Sequence, residues 1–449
     1  MTVTARPLPR VELEQPRRGR PPGRNEILRA GKLGGHDPQA LVARFGGPLY
    51  VYDLDVVSGQ VTALRRILPA RFGVAYALKA NPALAVAEHL AGLGLGADVA
   101  SGGELEAALR ARFRRDRIVF TGPGKRDDEL RRAVAVGVRA VTVESLGELA
   151  RLERIAAQVG RRVPVLLRAA MSEAARLERV RLVGDDGAGK FGMDIAELPQ
   201  AAGQATASPH LEWLGLHAFG ASNVLAASDL ARHVARTVAL AREVAAEAGV
   251  PLRLVDVGGG LGIPYETHEE SLDLVLLGRR LEELERAWSV DPAMDGVEVL
   301  IEPGRFLVGP AGAYVCRIVD VKAVADELVA ITEGGINHLL RPALVGQEHR
   351  IRLFRSGGEG QGPVRPVRVA GPLCSGLDLL SDRAILPEPL TGDLLAVLDT
   401  GAYGFTESMA LFLSHPTPAE IALKGGRAEM IRPPITPADV LEHQRQPLW

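Results

Sequence analysis

The chain has 449 residues and a mass of 47.8 kDa, enough for two or three average domains, or for one (β/α)8 barrel of ~250 residues with a smaller companion. Apolar residues make up 47% and charged residues 24%, and 53 Lys+Arg against 55 Asp+Glu leave a net charge of −2. This balance excludes a chain disordered throughout and argues against a nucleic-acid partner, which requires a basic face; aromatics at 4% are too few for a base-stacking platform.

Two cysteines, Cys316 and Cys374, cannot build a disulfide framework or an all-cysteine metal site, which suits a reducing compartment. No run of ~18 apolar residues is present, so no membrane span is expected. The pair Arg17-Arg18 is followed by Pro21, Pro22, Arg24 and Asn25 rather than by the apolar run of a signal peptide. The chain reads as cytosolic and metal-free.

Residues 1–25, rich in Pro and Arg and without periodicity, are expected to be a disordered arm. Residues 26–46 read as a short helical lead-in, and Pro48–Asp53 as a strand. Eight short apolar segments then recur, most followed by a stretch rich in Ala, Leu, Glu and Arg: 74–79, 96–101, 118–123, 140–145, 164–169, 212–217, 253–258 and 298–303. The first four begin 22 residues apart, at 74, 96, 118 and 140. Strands alternating with helices at this spacing imply βαβ units and a parallel sheet. Eight units favour a closed barrel over an open doubly wound sheet.

After residue 305 the texture changes. Ala313–Lys322, Val367–Ala370 and Asp393–Leu398 are strand-like, with Gly and Pro between them and few long helical stretches, the pattern of a mostly-β domain. Residues 357–363 read as a hairpin loop. The fold class is thus α/β, a TIM-like (β/α)8 barrel over 54–304, with a β-rich domain formed by 26–53 and 305–449.

Barrel enzymes place their chemistry at the C-terminal ends of the strands. Those ends carry Lys79, Ser101, Gly122, Glu144, Arg168, His217, Gly258-Gly259-Gly260, and Glu302 with Arg305. A buried lysine has a lowered pKa and bonds carbonyl cofactors; alone, Lys79 could equally reach solvent. Consecutive glycines after a strand let backbone N–H groups converge on a phosphate, or simply make a tight turn. Glu302 needs a cationic partner, either Arg305 nearby or a protonated pyridine. His217 is a core histidine or a ring packed on a planar cofactor. Together, an amine, a glycine nest, an acid and a histidine match every part of pyridoxal 5′-phosphate (PLP).

Five segments carry a resemblance: Tyr76-Ala-Leu-Lys-Ala-Asn81, Asp98–Leu105, Gly258–Tyr265, Glu302-Pro-Gly-Arg305 and Gly401-Ala-Tyr-Gly404. From about residue 48 to about 424 the sequence resembles the fold-type III PLP decarboxylases, which include diaminopimelate and eukaryotic-type ornithine decarboxylases. The resemblance implies an alanine racemase-like barrel plus β-domain, to which the strand at 48–53 contributes. It implies Lys79 as the Schiff-base lysine, Asp98 in the cofactor site, His217 on the ring and Glu302 on the pyridine nitrogen. Ser222, Gly258 to Gly260, Gly304, Arg305 and Tyr403 then surround the phosphate. Arg305, Arg341, Asp378 and Tyr403 are the implied substrate contacts. Cys374 matches a cysteine that crosses the subunit interface and protonates the product carbon, which implies a homodimer with shared active sites; taken alone, Cys374 is a small buried hydrophobe.

Three departures bear on the substrate. Cys374-Ser-Gly-Leu-Asp378 lacks the glutamate that follows the cysteine in diaminopimelate decarboxylases. Arg341-Pro-Ala-Leu344 is followed by Val345 in place of a tyrosine, although Arg341 could still fork a distal carboxylate. His217-Ala-Phe-Gly-Ala-Ser222 replaces the usual His-Cys-His-Ile-Gly-Ser. The C-terminal motifs resemble instead a branch with a carrier-bound glutamyl decarboxylase and siderophore-pathway decarboxylases. The expected function is PLP-dependent decarboxylation of an amino acid or amino-acid conjugate in secondary metabolism, with a carrier protein as a possible partner. Diaminopimelate decarboxylation is the first alternative and an amino-acid racemase on the same fold the second, although such racemases pair an arginine with the pyridine nitrogen. A non-catalytic PLP-binding homologue is the third.

Overall fold

The structure, a computed structural model, describes residues 26–171 and 189–447. The arm expected at 1–25 lies outside the described residues. Strands β1 (Leu28–Arg29) and β2 (Lys32–Leu33) pair antiparallel before helix α1 (Pro38–Phe45). The helical lead-in expected at 26–46 is therefore a hairpin followed by one helix. Ala30 and Gly31 take left-handed φ angles of +48° and +69° and reverse the chain, and Asp37 caps α1 by accepting from the Gln39 N–H at 3.0 Å. Strand β3 (Leu49–Asp53) is buried throughout, and its last residue caps α2 (Leu54–Arg65).

All eight expected barrel strands are present: β4 (Phe72–Ala77), β5 (Gly96–Val99), β6 (Ile118–Phe120), β7 (Ala140–Val143), β8 (Val163–Arg168), β9 (Leu211–His217), β10 (Leu254–Asp256) and β11 (Glu298–Ile301). Each pairs in parallel with its neighbours in chain order, and β11 returns to β4, closing the barrel. Helices α3 (Leu84–Gly92), α4 (Gly102–Arg110), α5 (Asp127–Val136), α6 (Leu146–Val159), α7 (Leu198–Ala207), α8 (Ala227–Ala248) and α9 (Leu274–Trp288) lie between successive strands. Ser101 and Ser145 are not strand residues but helix caps: each accepts from the N–H three residues on, and Glu104 and Glu148 accept from the backbone N–H groups of Ala100 and Glu144. Ala75, Val119, Ala140, Leu166, Leu254 and Leu300, from six different strands, form a separate buried cluster that fills the barrel interior.

Past α10 (Arg305–Val308) the chain turns to sheet: β12 (Gly312–Val324), β13 (Glu327–Thr332), then α11 (Arg341–Val345), β14 (Ile351–Arg355), β15 (Gly358–Glu359), β16 (Val364–Ala370), β17 (Leu379–Pro387), β18 (Leu394–Leu398), β19 (Ala419–Lys424), β20 (Arg427–Arg432) and the helix α12 (Pro437–Glu442). The thirteen-residue β12 serves β3, β18 and β13, all antiparallel, and β3 lies between β12 and β19. The N-terminal segment thus completes the C-terminal sheet. Leu49, Val51, Val315, Phe354, Leu394 and Ile421 pack beneath it. The loop expected at 357–363 starts in a hairpin turn and contains the short strand β15, since Gly358 and Glu359 pair with Arg355 and Phe354.

Candidate active site

The strand ends open into one cleft of about 280 Å³, whose lining includes Lys79, Arg168, His217, Ser222, Glu302, Arg305, Arg341, Tyr403 and Glu407. Residues separated by more than 300 positions meet there because the C-terminal sheet abuts the top of the barrel.

Strand β4 stops at Ala77, and Lys79 stands in a single 3-10 turn between buried Leu78 and Ala80. Its side chain opens into the cleft, 42% exposed, with Nζ 3.1 Å from Asp98 Oδ2. The other Asp98 oxygen accepts from the Thr121 hydroxyl at 2.5 Å. Burial pulls the lysine ammonium down, but attraction to Asp98 and then Glu302 outweighs it and holds the amine well above its ordinary value. The lowered lysine expected from the sequence is thereby corrected: two carboxylates face one amine. The Asp98 carboxyl is raised, first by burial and then by Glu302, with Lys79 pulling the other way.

Glu302 follows β11 and is buried. It does not pair with Arg305. Its Oε2 lies 3.4 Å from His217 Nε2, and its side chain is hydrogen-bonded to that of Asp256. Burial opposes its ionisation, but His217 and Lys79 prevail and push its pKa down to about 2. Fully buried Asp256 lies beside both: one ligand atom of each of His217, Asp256 and Glu302 falls within 4.8 Å of the others. Asp256 Oδ1 accepts from the Gly258 N–H at 2.9 Å, and burial followed by the Glu302 charge drives its carboxyl well above the usual range. Burial and the Glu302 charge thus favour a protonated Asp256 whose side chain is hydrogen-bonded to that of Glu302.

Gly258 and Gly260 take φ angles of +66° and +102°, and a Cβ at either would stand 2.9 and 2.6 Å from the carbonyls of Ala218 and Ala221. Only glycine builds this cradle. Across from it Arg305, buried, donates to the Tyr265 hydroxyl at 2.7 Å and to Ser222 Oγ at 3.2 Å. Gly304 allows the chain to pass against the lysine turn, since a Cβ there would lie 2.8 Å from Ala80 Cβ. Tyr403, left-handed at φ +53°, presents its ring to Arg305 and Arg341, each guanidinium 4.8 Å from the ring centre.

Two expected residues stand apart. Cys374 is exposed and is not among the residues lining the cleft of its own chain. Asp378 is buried, and its oxygens accept from the Ile336 and Leu373 N–H groups, both at 2.7 Å. Within its own chain Asp378 thus ties down the loop that carries Cys374 and is not among the residues lining the cleft. Sequence reasoning missed Glu407, Phe191, Tyr265 and Asp256. The last two lay inside quoted motifs, but nothing in the sequence links Glu407 to Arg341.

An amine, a buried ionised carboxylate, and a glycine cradle beside an arginine at the mouth of a parallel barrel suit a pyridoxal-type enzyme. Comparison narrows the class. Residues 54–309 match the family model of the pyridoxal-dependent decarboxylases, pyridoxal binding domain. The chain is 34% identical to diaminopimelate decarboxylase of Methanothermobacter thermautotrophicus over 421 residues, covering 92% of this chain and 95% of that protein. It is 31% identical to the L-glutamyl-[BtrI acyl-carrier protein] decarboxylase of Niallia circulans over 412 residues, covering 91% and 96%. The solved diaminopimelate decarboxylase of M. jannaschii superposes with a TM-score of 0.86 at 26% identity, covering 94% of this chain and 98% of that one. The chain belongs to the pyridoxal-dependent amino-acid decarboxylases, carboxy-lyases of the alanine racemase-like fold. The racemase and non-catalytic alternatives fall away. No helix among the described residues is long and apolar enough to cross a membrane.

Proposed function

We propose that this decarboxylase acts on the α-carboxylate of an amino acid presented as a conjugate or on a carrier protein, in the cytoplasm, as a homodimer that uses pyridoxal 5′-phosphate. The observation that carries the chemistry is Glu302, a buried carboxylate at the end of a barrel strand, 3.4 Å from His217 and held ionised by His217 and Lys79. A protonated pyridine nitrogen is the donor that suits it. Lys79 would hold the aldehyde carbon. Gly258 to Gly260, Ser222, Gly304, Arg305 and Tyr403 would hold the phosphate, and His217 the ring face. When bound, the cofactor supplies the electron sink that accepts the electron pair released as CO2 leaves.

The chain's own residues do the rest. Glu302, ionised even in acid, keeps a proton on the ring nitrogen, and protonated Asp256 beside it prevents a second buried negative charge. Asp98 holds the Lys79 ammonium in place whenever the amine is not bonded to the cofactor. The proton that replaces the lost carboxylate comes from Lys79 Nζ or from Sγ of the partner subunit's Cys374. The exposure of Cys374, together with exposed Leu377, Leu411 and Leu344 on the same domain, supports a subunit interface there.

Ser375, where diaminopimelate decarboxylases carry a glutamate, supports a substrate without a far amino group to be read. The likeness to the carrier-linked glutamyl decarboxylase supports the same reading. Diaminopimelate as substrate is favoured by one observation, the presence of Arg341 in the cleft wall. The test is CO2 release by the PLP-loaded protein from meso-diaminopimelate, lysine, ornithine, arginine and glutamate, each free and as a conjugate or carrier thioester. Release from conjugates alone is expected. Rapid release from free meso-diaminopimelate overturns the substrate reading.

A further inference from the structure

Arg341 and Glu407 form an ion pair in the cleft wall. Arg341 Nη1 lies 2.9 and 3.1 Å from the two Glu407 oxygens, with the arginine side chain 4% exposed and the glutamate 28%. Arg341 Nε is buried and has no hydrogen-bond partner among the described residues. The pair is built from both sides: α11 places Arg341 at its first residue, and the turn after Tyr403 places Glu407, with the Tyr403 ring stacked on the guanidinium.

We propose that Glu407 is a specificity-determining residue, and that it sets the cleft to accept an amino acid whose far end is a neutral carbonyl (amide, ester or thioester) rather than a free carboxylate or an amine. A free carboxylate aimed at Arg341 has to displace Glu407 or stand beside a like charge in a half-buried site. An ammonium reaching Glu407 meets the Arg341 charge in turn. The pair is neutral as a unit, so neither ion gains from it. A neutral carbonyl needs only a single donor, and Glu407 leaves Arg341 with part of its donor set unused. An amino acid tethered through its side-chain carboxyl has such an end. The inference rests on the decarboxylase reading above and sharpens its substrate class.

The test uses the full-length PLP-loaded protein with L-glutamate and its γ-methyl ester, wild type against Glu407→Gln. Steady-state CO2 release is read together with the concentration dependence of the cofactor absorbance change on substrate addition. The wild type is expected to favour the ester by at least about tenfold in kcat/KM. Glu407→Gln frees the guanidinium, so binding of free glutamate should tighten by about tenfold, mainly in KM, and the preference should shrink or invert. A wild type that prefers free glutamate, or an unchanged ratio in the variant, overturns the proposal. Should Glu407→Gln not fold, Glu407→Met serves, and the wild-type ratio by itself still decides. No CO2 from either compound, while ornithine or lysine is decarboxylated, rejects the neutral-end inference but keeps the decarboxylase; silence on all of them rejects both.

Discussion

The backbone N–H of Tyr403 donates to the carbonyl of Ala80 at 2.8 Å, one residue from Lys79. Beside it, Asn81 Nδ2 donates to the Gly401 carbonyl at 3.0 Å, and Asn81 Oδ1 accepts from the Ala83 N–H. The C-terminal sheet is thereby stitched onto the turn that carries the reactive amine. Asn81→Ala removes one stitch and leaves the buried Gly401 carbonyl unpaired. A stability loss of about 1–3 kcal/mol is expected, with weaker cofactor retention, read by thermal melting and by absorbance after gel filtration.

Lys79→Ala should abolish the protein-linked cofactor absorbance and lower turnover by at least about a thousandfold. Loss of the amine also leaves Asp98 without its cation, so the Asp98 carboxyl should rise further. Activity that survived in this variant would remove Lys79 from the mechanism.

Glu302→Gln keeps shape and removes charge. Turnover should fall by about a hundredfold or more, since the amide cannot hold a proton on the ring nitrogen. Asp256→Asn should be far milder, because the native carboxyl already carries its proton; a loss as large as that of Glu302→Gln would mean that Asp256 works as an anion.

If the sites are shared and Cys374 supplies the proton, Lys79→Ala and Cys374→Ala are each inactive, and mixing them creates one intact site in each heterodimer. Random reassortment should restore about a quarter of wild-type activity. No recovery, or a monomeric sedimentation mass for the wild type, rejects the shared-site dimer.

Two buried histidines should make the fold acid-sensitive. His338, whose Nε2 lies 2.9 Å from the Pro416 carbonyl, and His349, whose Nδ1 lies 2.8 Å from the Leu398 carbonyl, are both pushed down by burial from 6.5 to about 4. Their contribution is fully present above pH 6.5. As pH falls from 6.5 toward about 4, only the unfolded chain takes up the protons, so stability declines, by about 3 kcal/mol per histidine at most. Melting temperature should drop across that window, and His338→Gln should flatten the slope. Glu302 loses its own contribution only below its ordinary range, between 4.5 and about 2.

Lys125 and Glu148 form an ion pair at 2.8 Å with side chains 1% and 5% exposed, and Glu148 also accepts from the Glu144 N–H. Glu144 in turn pairs with Arg168 in the cleft wall at 2.8 Å. Glu148→Gln leaves a buried ammonium unpaired and should cost about 3 kcal/mol or more, seen as a lower urea midpoint.

Much of this was legible along the chain because its signals are local. A strand followed by a helix at a 22-residue spacing reflects the geometry of one βα unit, so eight apolar runs were enough to expect the barrel. Lys79, His217, Gly258 and Glu302 were legible as strand-end residues for the same reason: closure of the barrel brings all such ends to one mouth. Side-chain partnership across domains was not legible. Arg341 reads as a carboxylate fork until Glu407, 66 positions on, takes it. Lys79 reads as a depressed amine until Asp98 and Glu302 reverse the sign. Asp378 reads as a substrate contact, and its two backbone-amide partners, Ile336 and Leu373, are not legible from the sequence. Sequence by itself determined the periodic elements, the order of the barrel and the residue types at its mouth, because these depend on near neighbours. The tertiary structure alone decided which charges face each other, because Coulomb interaction and desolvation depend on distance and burial in space, not on position along the chain.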